Sequence, residues 1–429
     1  VLYFKSFKTN SLMNPLNWKN LFLLSLIILP FSFALNPTAS IDLPIVRVLF
    51  PLTFLCWFFS SLFHKQILLD TRLRFWIFSF FLFFCAISIF WATEKLLALN
   101  KLFFLLSFFP VYFITYAATS NVLFRERLIK TFFFISFLSA LFSLLIFSLQ
   151  FILGVDGVLF LASKTSLFFL GRNFSAMVIE FPSWLVNIGG KTIMRTFGSF
   201  PDPHLFSLSI NLSLPFAFYL WKKTSKSIYL WGGLICLLAS LLSFSRASYI
   251  ALFLGCSFAT FFFSNPLVII KKYFSNFLLF LFLFFILLLV PNPLTQRFTS
   301  SFNLQEGSNS GRLEMWRLAT ETTIENPLLG VGLGNFAKYN FPMSSSDSPI
   351  YAHNLFLDFS SEIGVLGGLL LIASLFCPLF VLRKNSSALL KTIGVAMLIF
   401  IVHSFFETPF YSVRVFPLLL FILAIKTDD

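Results

Sequence analysis

Charge is scarce in this sequence. Asp, Glu, Lys and Arg make up 11% of its 429 residues, less than half the share usual in a soluble domain. Runs such as FLLFLFLFFILLLVPNPL (277–294) carry no charge over the length of a membrane crossing, which excludes a single large soluble core. Acidic residues are rarer still, 17 against 31 basic ones. Cysteine occurs five times, at Cys56, Cys85, Cys236, Cys256 and Cys377, always inside apolar runs. None has a partner at a zinc, iron–sulfur or redox spacing, so the cysteines read as small membrane hydrophobes and no metal site is expected. There is no nucleotide-binding glycine pattern and no internal repeat, and no cofactor is expected.

What is present is apolar: 58% of the residues are hydrophobic, and Phe alone supplies 66. The runs 20–36, 43–63, 75–92, 96–117, 130–153, 204–221, 228–244, 247–264, 273–290, 355–381, 389–406 and 411–425 read as spans. The expectation is an all-α, polytopic integral membrane protein, a single transmembrane domain over 1–429 with about twelve transmembrane helices. The first run follows Lys5, Lys8 and Lys19 but lacks a small-residue cleavage site, so it reads as a retained helix.

The net charge of +14 is then a matter of topology. With a cytoplasmic N-terminus, Lys65, Arg72, Arg74, Arg125, Arg127, Lys130, Lys222, Lys223, Lys226, Lys271, Lys272, Arg383, Lys384, Lys391 and Lys426 all fall inside. Both termini are cytoplasmic in that arrangement, and the excess of positive charge is not a nucleic-acid footprint. Two outer segments stand apart: a medium loop at 154–203, and a large loop at 291–354 between the ninth and tenth spans. The second is longer than a connection requires, and such loops often carry function.

A few polar residues need explaining. Arg246 lies between two apolar runs at the outer face, either snorkelling to the headgroups or binding an anion. Arg195, Arg312 and Arg317 lie near the same face, and a guanidinium fork suits a phosphate. Glu314 and Glu321 are spaced to pair with arginines of their own helix. His353 sits where the long loop re-enters the membrane. It reads either as an interfacial helix cap or as a general base working near neutral pH, with Asn354 beside it able to bond a sugar. Glu362 is nine residues further on, out of phase with His353, and reads as a brace to another helix. His64 reads as a surface residue, while His204 and His403 have no evident ligand set. Glu407 and Arg414 flank the last outer turn and read as a structural ion pair.

Four stretches carry a resemblance: RTFGSFPDPHLFSLSINLSLP (195–215), SFSRASYIAL (243–252), SGRLEMWRLATETTIENPLLGVGLGNF (310–336) and YAHNLFLDFSSEIGVLGG (351–368). In order and placement the chain resembles the O-antigen ligase and O-antigen polymerase superfamily of bacterial membrane glycosyltransferases, most strongly over 190–370. Many relatives have an asparagine near the position of His204.

The resemblance implies a multi-pass protein of the bacterial inner membrane with its active site facing the periplasm. It implies transfer of a glycan from undecaprenyl pyrophosphate to a glycolipid or glycan acceptor, metal-independent and inverting. By motif, His353 would be the base, Arg246 and Arg312 would bind the pyrophosphate, and Arg195 is a further candidate. The partners implied are the lipid-linked glycan donor, the acceptor and membrane lipids, with no nucleic acid. A ligase acting on a lipid A core is the leading expectation. A polymerase joining O-antigen or exopolysaccharide repeat units is the alternative, and a polysaccharide-related transporter is a third reading.

Overall fold

Helices start where a polar side chain stands just ahead of an apolar run. Asn17, Asn121, Asp202, Asn354 and Ser387 each accept hydrogen bonds from backbone N–H groups of the first helical turn. The computed structural model describes residues 17–38, 41–180, 183–188, 190–263, 307–342 and 351–427. The elements, in chain order, are α1 (Trp18–Ile28), β1 (Ala34–Thr38), β2 (Ile41–Pro44), α2 (Val46–Phe63), α3 (Leu73–Ile87), α4 (Lys95–Phe108), α5 (Pro110–Thr119) and α6 (Val122–Leu170). There follow α7 (Arg172–Glu180), β3 (Leu185–Ile188), β4 (Lys191–Met194), α8 (Pro203–Thr224), α9 (Ser227–Leu241) and α10 (Arg246–Phe263). The described C-terminal part holds α11 (Gly307–Glu325), α12 (Phe336–Asn340), α13 (Leu355–Phe380), α14 (Ala388–Ser404) and α15 (Phe416–Ala424). The strands form two antiparallel hairpins.

The expected twelve transmembrane helices are not found. Among the described residues, five helical segments are long and apolar enough to cross a membrane: Val46–Phe63, Leu73–Phe90, Lys95–Thr119, Val122–Leu170 and Leu355–Phe380. Four more are apolar but shorter: Trp18–Phe31, Ser227–Leu241, Arg246–Phe262 and Ala388–Ser404. The run 273–290 lies outside the described residues.

Apolar runs overstated helix length for local reasons. The first run turns at Pro30 and ends in β1. Phe244, in the left-handed region at φ 51, separates α9 from α10. α8 is long enough at 22 residues, but Ser207, Ser209, Asn211 and Ser213 dilute its apolar character. The last run yields a nine-residue helix, about 13 Å long against a hydrocarbon core of about 30 Å. With the count goes the placement of a large loop between a ninth and a tenth helix. The described part of 291–354 holds α11, α12, their connecting turn and residues 351–354 ahead of α13. The segment 154–203 contains the end of α6 beyond a kink at Gly154, then α7 and the β3–β4 hairpin.

The chain is a polytopic membrane protein. Large apolar side chains lie on its surface, among them Phe63, Phe90, Leu73 and Phe253, as a lipid-facing exterior requires. The interior is aromatic. Phe81 packs on Phe359, Phe359 on Phe410, and Phe410 on Phe416, with centroids 5.2, 5.6 and 4.7 Å apart.

Two ends of the bundle differ. At one, Arg72 and Arg74 donate to the carbonyl of Ile425 at 3.0 and 3.1 Å, and Arg125 donates to that of Lys426 at 2.7 Å. These are carbonyls that the C-terminus of α15 leaves unsatisfied. The other end lies where α14 finishes and α15 begins.

The NPLLGVGLGN stretch (326–335) has a packing role. α13 breaks at Ile363 and Gly364, and the stretch bonds to the opened backbone. The N–H of Val331 donates to Ser361 O at 3.0 Å, that of Gly332 to Glu362 O at 2.8 Å, and that of Val365 to Pro327 O at 2.8 Å. Gly330 and Gly364 have φ of +66 and +75, and a Cβ on either would collide with the other segment's backbone. On its far side, Trp91 Nε1 donates to Leu329 O at 2.9 Å and Glu94 N–H to Asn335 Oδ1 at 2.8 Å.

Candidate active site

Three segments converge at the α14–α15 end. The turn after α14 carries Glu407, the approach to α13 carries His353, and α11 carries Arg312. His353 Nδ1 lies 3.2 Å from Glu407 Oε1, and Arg312 Nη2 lies 3.9 Å from Glu407 Oε2. Glu407 is buried, whereas the His353 side chain is 36% exposed and that of Arg312 17%. His353 is held at φ 49, a conformation a non-glycine residue rarely keeps unless its surroundings impose it. Tyr351 packs on the imidazole at 4.6 Å, and Trp316 Nε1 approaches His353 O at 3.5 Å.

The electrostatics follow from that geometry. Burial alone would raise the Glu407 carboxyl, but His353, the hydrogen bond to it and Arg312 outweigh burial and bring it down to about 2. An ionised carboxylate only accepts, so Nδ1–H of His353 donates to it and Nε2 is left as the proton acceptor. Burial disfavours the imidazolium, and Arg312 opposes it too. Glu407 more than compensates, and His353 sits above its ordinary value. Asp202 is raised by burial and by Glu407, against the pull of Arg195. The Tyr351 phenol is pushed well up by burial and by Glu407 and Asp202.

The other expected site residues are arranged differently. Arg246 opens α10 and donates from Nη1 to Asn309 Oδ1 on α11 at 2.7 Å, joining the two helices beside the cluster. Arg195 is a brace: Nε donates to Ser243 O at 2.6 Å, Nη1 to Ser183 O at 3.0 Å, and Nη2 lies 3.4 Å from His204 Nε2. Asn354 caps α13, its Oδ1 accepting from Phe356 N–H and Leu357 N–H at 3.0 and 3.1 Å. Glu362 pairs with Lys101 of α4. Arg317 pairs with Glu314 and Glu321 on the surface of α11.

The expected Glu407–Arg414 ion pair gives way to a different arrangement. Arg414 donates to Ser32 O and Phe169 O at 3.0 and 3.1 Å, while Glu407 serves His353 and Arg312. Asp202 and Lys101 were not singled out from the sequence, and Glu407 was read only as a partner of Arg414. Each carried a signal: Lys101 is a charge inside an apolar run, Asp202 stands at an N-cap before Pro203, and Glu407 is an acid in a short apolar turn. A depression of about 430 Å³ between Trp91, Thr93, Tyr339 and residues 326–331 includes none of the charged cluster.

Residues 231–372 match the O-antigen ligase family. The match covers a third of the chain. It includes Arg246, Arg312, His353, Asn354 and Glu362, and leaves Lys101, Arg195, Asp202 and Glu407 outside. A ligase-type domain supports an enzymatic role in general terms. No curated protein matches this chain.

Proposed function

We propose that the protein transfers a glycan from undecaprenyl pyrophosphate to a hydroxyl of a lipid A core or similar glycolipid acceptor, at the periplasmic face of the inner membrane. The observation that carries this reading is the His353–Glu407–Arg312 cluster lying within and beside the O-antigen ligase match. The sidedness rests on charge: Arg72, Arg74 and Arg125 gather at the opposite end of the bundle, and basic residues concentrate on the cytoplasmic side.

In this mechanism Glu407 fixes the His353 tautomer, and Nε2 takes the proton of the attacking hydroxyl. The acceptor oxygen bonds to the anomeric carbon as the bond to the pyrophosphate oxygen breaks, with inversion. Arg312, with Arg246 held to Asn309 of the same helix, meets the negative charge that develops on the leaving group. Arg195 acts at one remove by holding the loop before α8.

The test is His353→Ala in membranes supplied with lipid-linked glycan. Transfer should fall by about a hundredfold or more while the protein remains inserted; transfer at the wild-type rate would refute the role. Deletion in the host separates the acceptors. Full-length chains accumulating on the lipid carrier mean a ligase, and single repeat units on the final acceptor mean a polymerase.

A further inference from the structure

A second charged group lies inside the bundle and joins α4, outside the match, to Asp358 and Glu362 within it. Lys101 of α4 has a side chain 9% exposed. Its ammonium donates to Glu362 and to the Tyr411 hydroxyl, and lies 3.7 Å from Asp358 Oδ2. Two of the lysine's three N–H donors thus meet acceptors, and Asp358 adds an ion-pair contact. The charge also sits 4.8 Å over the Phe359 ring and 4.4 Å over that of Tyr411.

The contacts run on toward His353. Tyr411 accepts from Lys101 and donates to Asp358 Oδ2. The other oxygen of Asp358 accepts from the N–H of Ala352 at 3.1 Å, one residue before His353. Tyr411 also packs on Tyr351 at 5.4 Å, and Tyr351 packs on the His353 ring at 4.6 Å. The turn at 351–353, with His353 in the left-handed region, is therefore held from beneath through both backbone and ring contacts. A structural brace between α4 and α13 would need only the Lys101–Glu362 pair. The bonds through Tyr411 and Asp358 to Ala352 are what tie that pair to the imidazole.

We propose that Lys101 is a positioning residue for His353, acting through Tyr411 and Asp358 on the turn that presents the imidazole. This rests on the reading of His353 as the base. It assigns to α4, outside the matched region, a part in catalysis.

The experiment uses the full chain in lipid bilayers, with histidine rings isotopically labelled. Four histidines give a simple spectrum, and His353→Gln assigns the resonance. The groups facing His353 are Glu407, Arg312, Asp202 and Tyr351, and all are retained. Lys101→Met alone leaves Glu362 and Asp358 uncompensated, so the neutral pair Lys101→Met/Glu362→Gln is the main variant. Tyr411→Phe, which cuts the link while the charges stay paired, is the second.

In both, the His353 titration midpoint should move by about half a pH unit. Transfer kcat should fall by about tenfold to a hundredfold, with KM within about twofold. Lys101→Arg should recover most of the rate. A His353 midpoint equal to wild type in either folded variant overturns the proposal. The titration is read without substrate, so failure of the transfer reading, seen as full activity in His353→Ala, is a separate result.

Discussion

At one end of the bundle Arg72, Arg74 and Arg125 turn their guanidinium groups onto the carbonyls of Ala424, Ile425 and Lys426. At the other, Arg312 is partly open to solvent and faces a buried carboxylate that also holds a histidine. The first arrangement satisfies backbone groups at the end of a short helix, and Arg72 also pairs with the buried carboxylate of Asp70 at 2.5 Å. The second keeps a cation, a carboxylate and an imidazole within reach of one another and of solvent. Arginine near a membrane face is thus no sign of anion binding by itself. Arg195 and Arg414 lie toward the site end and also donate mainly to backbone carbonyls.

The contrast can be broken by mutation. Its largest expected consequence is in the rate. Arg312→Ala should lower kcat/KM for transfer by about a hundredfold, whereas Arg125→Ala should lower thermal stability but leave kcat/KM of the folded protein within about twofold. Equal losses at both ends would erase the distinction.

Next comes a structural effect. Gly364→Ala should cost about 1–3 kcal/mol from the left-handed backbone alone, and more from the collision with the 326–335 segment. Thermal unfolding in detergent measures it, and a wild-type midpoint would mean the two backbones are not clamped. The smallest effect is expected at Arg317→Ala. Its ion pairs with Glu314 and Glu321 are half exposed, and such pairs add little, so both stability and transfer should match wild type.

The membrane character was legible in composition, because it is summed over the whole chain; the motifs singled out His353 and Arg312, and the fold sets both against Glu407. Helix count was not legible. The breaks at Pro30, Phe244 and Gly364 depend on caps, serines and backbone contacts that an apolar run does not reveal. The Glu362–Lys101 brace was half legible, since spacing turned Glu362 away from His353 but could not supply its partner 261 residues distant. Glu407 was assigned to the nearer Arg414, because the α14 turn meets the approach to α13 only in three dimensions. In the NPLLGVGLGN segment, Gly330 is required by close backbone contact with α13, whereas Gly332 and Gly334 lie against Ala92 and Leu97.

The Glu407–His353 pair also sets a pH window for stability. His353 lies above its ordinary 6.5, so its contribution is fully present below 6.5 and is lost as pH rises through the raised value. Glu407 lies below its ordinary 4.5, so its contribution is fully present above 4.5 and is lost as pH falls toward about 2. The loss of thermal stability in Glu407→Gln should therefore be greatest between pH 4.5 and 6.5 and shrink on the alkaline side.

The most direct test of the dyad is the pH dependence of transfer in wild type and Glu407→Gln. The active form has His353 neutral, so the wild-type rate should fall as pH drops through the raised His353 value. In Glu407→Gln that acid limb should move to lower pH, and the plateau should drop by at least about tenfold as the imidazole loses its orienting carboxylate. Superimposable profiles would contradict the assignment of Glu407 and His353 as a working pair.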